Sequence, residues 1–146
     1  MNSGKVATAS AAAKVAVEIA TGAAVTCKIV AFDVSFDGTS ATATPILIEL
    51  VKTTAASSGG AAGTNNVVSA DTSRTSQFTS RTNDTTDGTS PTVLSGWLVH
   101  PQTGLSYQWP LGREPNVPVS AFWEFRITTV SGSGTPNYDV NVWVEE

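Results

Sequence analysis

Apolar residues recur at every second position in a series of short runs along this chain, the period of strands that turn one face to a core. Val15, Val17 and Ile19 make the first run, and Thr21-Gly22 turns the chain after it. Residues 25–36 make the strongest, with Val30, Phe32, Val34 and Phe36 on one face and Ala31, Asp33 and Ser35 on the other. A half-polar reverse side suits a sheet packed on one side only. Asp37-Gly38 then marks a turn. Beyond Pro45, residues 46–51 are mostly apolar on both faces, which predicts a central strand or one buried against another subunit. Four further runs, 93–99, 105–109, 119–129 and 138–144, fill the C-terminal third, with Gly104, Gly112, Gly132 and Gly134 between them. In the last, Val140, Val142 and Val144 oppose Asn141, Trp143 and Glu145.

Two stretches lack the alternation. Residues 7–14 are rich in Ala and Ser without an apolar face or a helix cap, so residues 1–14 read as an N-terminal arm that is flexible in the isolated monomer. Residues 53–90 are nearly half Ser and Thr, with Val67, Val68 and Phe78 as their large apolar residues. Long structureless loops are uncommon in compact domains, so a strand is expected within this insertion, at 74–81 around Phe78. Asn83-Asp84-Thr85 fits a glycosylation sequon, which in a Thr-rich loop reads as a chance match. The expected fold is all-β. It is an antiparallel, jelly-roll-like β-sandwich of about eight strands over residues 15–146, with 53–90 as a Ser/Thr/Gly-rich insertion.

Composition narrows the function classes. A 15.1 kDa chain fits one domain able to bury roughly 68–70% of its unfolded surface. Net charge of −4 and a pI near 4.8 predict no broad attraction to nucleic acid or to an anionic membrane. Cys27, alone of its kind, rules out an intrachain disulfide and reads as a small buried hydrophobe. Residues 1–5 do not open a leader, and no stretch reaches the roughly 20 apolar residues of a membrane helix. A soluble protein made in the cytoplasm is expected.

Chemistry-bearing residues are scarce. His100, the single histidine, ends a strand with no nominated nucleophile or orienting carboxylate, and reads as a hydrogen-bonded or interface residue. Asp33, Asp37 and Glu49 could pair carboxylates across strands, but they read instead as solvent-facing positions of alternating strands and a turn aspartate. The spacing Asp33-x-x-x-Asp37-Gly38 does not make a calcium loop, and Gly59-Gly60 leads into neither a lysine nor a helix. No catalytic, metal or cofactor-binding residue is nominated, and no cofactor or enzymatic activity is expected. The aromatics Trp97, Tyr107, Trp109, Trp123 and Trp143 all fall on expected strands. They fit a core or subunit interface, and a platform for sugar rings stays open. In residues 111–118, two prolines stiffen a loop bearing Arg113 and Glu114, a setting suited to intersubunit contacts. The expected interface positions are Lys5, Lys14, Trp97, His100, Tyr107, Trp109, Arg113 and Glu114.

Several segments together resemble a known group of proteins. These are Val34-Ser35-Phe36-Asp37-Gly38-Thr39-Ser40, Pro45 with its strand, Trp97-x-Val99-His100-Pro101-x-x-Gly104, Pro110-Leu111-Gly112-Arg113-Glu114-Pro115 and Val144-Glu145-Glu146. The chain from Val15 to Glu146 resembles small virion proteins of tailed bacteriophages, in particular the head decoration or cement proteins with a β-sandwich core. The resemblance implies a homotrimer on the virion surface that bridges major capsid subunits against internal DNA pressure. A carbohydrate-binding module and a tail or neck component are the alternatives.

Overall fold

The computed structural model describes residues 1–7, 13–37, 44–67, 75–130 and 135–146, and among them every regular element is a strand. In chain order these are β1 (Val6–Ala7), β2 (Ala13–Ala20), β3 (Cys27–Phe36), β4 (Ile46–Thr53), β5 (Ala61–Ala62), β6 (Thr79–Asp84), β7 (Thr92–Val99), β8 (Leu105–Gln108), β9 (Asn116–Val117), β10 (Phe122–Thr129) and β11 (Asn137–Glu145). They form two antiparallel sheets packed face to face, ordered β1-β11-β3-β8, with β9 also on β3, and β5-β6-β2-β10-β4-β7. The fold is an all-β sandwich. Three of the eleven strands, β1, β5 and β9, are only two residues long; of the others, β2, β3, β4, β7, β8, β10 and β11 overlie expected runs, and β6 is displaced from its expected place. The Asp37-Gly38 turn, Gly132, Gly134, Arg74 and the middle of the arm fall at least partly outside the described residues.

Alternation builds the core. Val17 and Ile19, Phe32 and Val34, Ile46, Ile48 and Leu50, Phe125 and Ile127, and Tyr138, Val140 and Val142 meet between the sheets, all almost inaccessible. Full burial of each such side chain contributes about 1.5–3 kcal/mol. Bulges interrupt the period. Trp143 pairs with Ala31 but Val144 with Ile29, leaving Val30 as the extra residue on β3. Val30, expected inside with Phe32, is therefore only half-buried, and beyond the bulge Ile29 and Cys27 turn inward instead. The same device recurs at Ala16 on β2 and at Leu94 on β7. Strand β4 lies between β10 and β7, central as its apolar pattern predicts.

The chain ends differ from expectation. Residues 1–7, read as part of a free arm, lie along β11: Val142 N–H donates to Met1 O at 2.8 Å, Ser3 N–H donates to Val140 O at 2.9 Å, and Val6 pairs with Tyr138. Ala13 and Lys14, assigned to the same arm, already belong to β2. The strand expected at 74–81 begins only at Thr79, because Gln77 and Phe78 donate their N–H groups to Glu146 Oε1, at 2.7 and 3.1 Å. Strand β6 extends the larger sheet beyond β2. Ser57 and Gly88 of the insertion bond Glu18 and Glu124 on that sheet's outer face, where Val15 and Val51 are fully buried without belonging to the core between the sheets. The sequon's Asn83 donates its amide to Ser3 O and accepts from Tyr138 Oη, a structural use of the side chain.

Candidate functional site

Trp97 on β7, Tyr107 on β8 and Trp109 just after it form one cluster with Phe32 and Phe125. Ring centroids lie 4.8 Å apart for Phe32–Trp97 and 5.1 Å for Tyr107–Trp109, the latter pair edge to face at 84°. Such geometries contribute about 0.5–1.5 kcal/mol per pair beyond burial. The cluster plugs the open side of the sandwich between the edge strands β7 and β8. These three rings stack on each other and on the core, so a flat sugar platform is not built from them.

The other positions singled out in the sequence scatter. His100 shapes the turn between β7 and β8: its carbonyl accepts from the N–H groups of Thr103 and Gly104, and Gln102 N–H donates to its Nδ1 at 3.2 Å. Arg113 is exposed, with its N–H closing a turn onto Pro110 O at 2.9 Å. Glu114 titrates below its ordinary value because backbone N–H groups of Glu114 itself and Gly112 stabilise the anion. Lys5 pairs with Asp37 at 3.1 Å, and Lys14 donates to Ala7 O at 3.1 Å.

Exposed apolar surface gathers on β7. Val93, Leu94 and Leu98 are open to solvent, Leu98 by 69%, and no residue from Thr92 to Val99 is charged. β7 is an edge of its sheet. Edge strands are ordinarily guarded by charge, proline or cover; here the bulge at Leu94 is the guard. Leu111, in the Pro-rich loop, is 98% exposed.

One constellation escaped sequence reasoning. Glu18 and Glu124 are direct cross-strand neighbours on β2 and β10, both wholly buried beneath the insertion. Glu124 Oε1 accepts from Gly88 N–H at 2.9 Å, and Glu18 Oε2 from Ser57 N–H at 2.6 Å. Glu18 Oε1 and Glu124 Oε2 have no hydrogen-bond partner among the described residues. Ser57 Oγ contacts both Glu18 Oε2, at 2.9 Å, and Asp84 Oδ2. A hydroxyl has one hydrogen, so both contacts are hydrogen bonds only when one carboxyl carries a proton. Burial would raise Asp84, but the two-pronged grip of Arg81, with Ser57 and Gly60 N–H, holds it below the usual range. Glu18 is raised above its ordinary value, chiefly by burial. Burial lifts Glu124 to about 7, with Asp87 and Glu18 adding to the effect and Gly88 N–H opposing it. On the same sheet, Arg126 bridges Glu49 at 2.8 Å and Asp87 at 2.6 Å. The one sequence signal was a glutamate amid strongly apolar neighbours, Val17-Glu18-Ile19 and Trp123-Glu124-Phe125.

At the opposite side of the sandwich from the aromatic plug, a groove of about 510 Å³ runs between the N-terminal residues, β11 and the insertion. Trp143 lines it and is 48% exposed. Among the described residues, no group of three or more His, Cys, Asp or Glu side chains could hold a metal ion. No helix among the described residues is long and apolar enough to cross a membrane. Compared with known proteins, the chain matches no family model, no curated protein and no solved structure.

Proposed function

We propose that this chain is a non-enzymatic structural protein of a tailed-bacteriophage virion, which decorates the capsid and stabilises it by bridging major capsid subunits as a homotrimer. The observation that carries this reading is the uncharged, solvent-open edge strand β7 with Leu98, to which the exposed Leu111 adds a further apolar position. Apolar side chains at a sheet edge are what a contact with another protein surface buries. The strand order also supports the jelly-roll reading. The paths β1-β11-β3-β8 and β2-β10-β4-β7 are those of two interlocked Greek keys, with β5 and β6 as an addition between β4 and β7. The buried acids support a structural use as well, since their bonds go to the insertion's own backbone and side chains.

Light scattering on the purified chain, with co-sedimentation against capsids lacking it, tests the proposal. The expected result is a species of three times 15.1 kDa that pellets with capsids. A monomer indifferent to capsids overturns it.

A further inference from the structure

We propose that the groove beside β11 is a saccharide-binding site, in which Trp143 stacks on one face of a neutral pyranose ring and the flanking amides bind its hydroxyls. This goes beyond the capsid role and does not depend on it. Of the four tryptophans, Trp97, Trp109 and Trp123 are half-buried against the core, whereas Trp143 stands on the outward face of its strand. A volume of about 510 Å³ lies within the roughly 300–1,000 Å³ of small-ligand sites.

The lining fits the ligand's chemistry. A pyranose presents an apolar C–H face ringed by hydroxyls that both donate and accept. Indole matches the first, and side-chain amides, which also do both, match the second. Asn2, Asn66 and Asn141 line the groove around Trp143. Glu145 and Glu146 are there too, and among the described lining residues neither lysine nor arginine balances them, which disfavours an anionic or phosphorylated ligand.

The walls are set before any ligand arrives. Asn141 donates to Asp33 Oδ1 at 2.8 Å and accepts from the Asn2 amide, which also donates to Asp139 at 3.1 Å. Across the groove, Glu146 Oε1 holds residues 76–78 through three donors, and Asn65 is fixed by Ser76, Phe78 and Ser80. Ordering in the free protein lowers the cost of binding.

The test is calorimetric titration of the full chain with cellotetraose, chitotetraose, maltotetraose and mannotetraose, with tetragalacturonate as the anionic control. The expected result is saturable binding of at least one neutral tetrasaccharide and none of the control. Trp143→Ala, at a half-exposed site, should keep the wild-type melting temperature and bind about tenfold more weakly or worse. Three results each overturn the proposal: no neutral tetrasaccharide binding at millimolar concentration, tetragalacturonate binding as well as the neutral sugars, or unchanged affinity in Trp143→Ala. If Trp143→Ala instead impairs capsid co-sedimentation while no sugar binds, the groove is a protein contact.

Discussion

Glu18 and Glu124 occupy positions where a strand would ordinarily show a charge to water, and the insertion has closed over them. Two adjacent carboxylates in a low-dielectric setting cannot both ionise without mutual repulsion. The folded protein thus retains protons that the unfolded chain has released. Glu124, raised from 4.5 to about 7, contributes stability that is full below about pH 4.5 and is lost as pH rises through about 7. Glu124→Gln keeps an oxygen for Gly88 N–H and removes the ionisation. At about 1.36 kcal/mol per pKa unit, the variant should exceed the wild type at pH 8 by on the order of 1–3 kcal/mol, and match it near pH 4. Urea denaturation followed by tryptophan emission across that range checks this; identical pH slopes would contradict it. Cys27 follows the same rule: burial, with Glu146 adding, pushes its thiol up to about 11, and it is 1% exposed. Ellman's reagent should therefore label it only in denaturant, at a rate that follows unfolding.

At the scale of elements, what the sequence disclosed was what a period of two can encode. The valine, isoleucine and phenylalanine runs became strands, and the Val140–Val142–Val144 face turned inward with Trp143 outward, as alternation predicts. Bulges at Ala16, Val30 and Leu94 reset that period with no change in composition, so Ile29 rather than Val30 reached the core. The insertion was illegible for a different reason. Its segments are held by long-range polar bonds, such as Ser57 to Glu18, Gly88 to Glu124 and residues 76–78 to Glu146, and such partners lie far apart in sequence. Nor could Glu18 advertise its burial, because the loop that covers it comes much later in the chain. Packing of that loop is tight: a Cβ at Gly88 would strike Ala55 O and press on Glu124 Oε1 at 2.8 Å. Gly88→Ala should therefore lower stability by about 1–3 kcal/mol. Because Gly88 N–H is the donor that restrains Glu124, the same variant should shift the pH range over which stability falls. Denaturation at pH 5 and pH 8 reads both effects.

Viewed as a whole molecule, the sandwich treats its two open sides unequally. One is sealed by the chain ends and the insertion, where residues 1–3 pair with β11, Asn83 ties to Ser3 and Tyr138, and Glu146 clasps residues 76–78. The other is plugged from within by Trp97, Tyr107 and Trp109, while its outer strand β7 offers Val93, Leu94 and Leu98 to solvent without a charge. An isolated monomer gains nothing from Leu98 at 69% exposure, but an assembly that covers it does. Leu98→Lys places a charge on this edge, the ordinary device against edge association. Its effect on the fold should stay within about 0.5 kcal/mol, as for surface substitutions in general. Its effect on association should be far larger, since a lysine buried without a partner at an interface is strongly disfavoured. Sedimentation velocity should then show the wild type as a concentration-dependent oligomer and Leu98→Lys as a monomer with an unchanged melting temperature. If both sediment alike, β7 is not the contact between copies, and the capsid-bridging surface must be sought at Leu111 and the Arg113 loop.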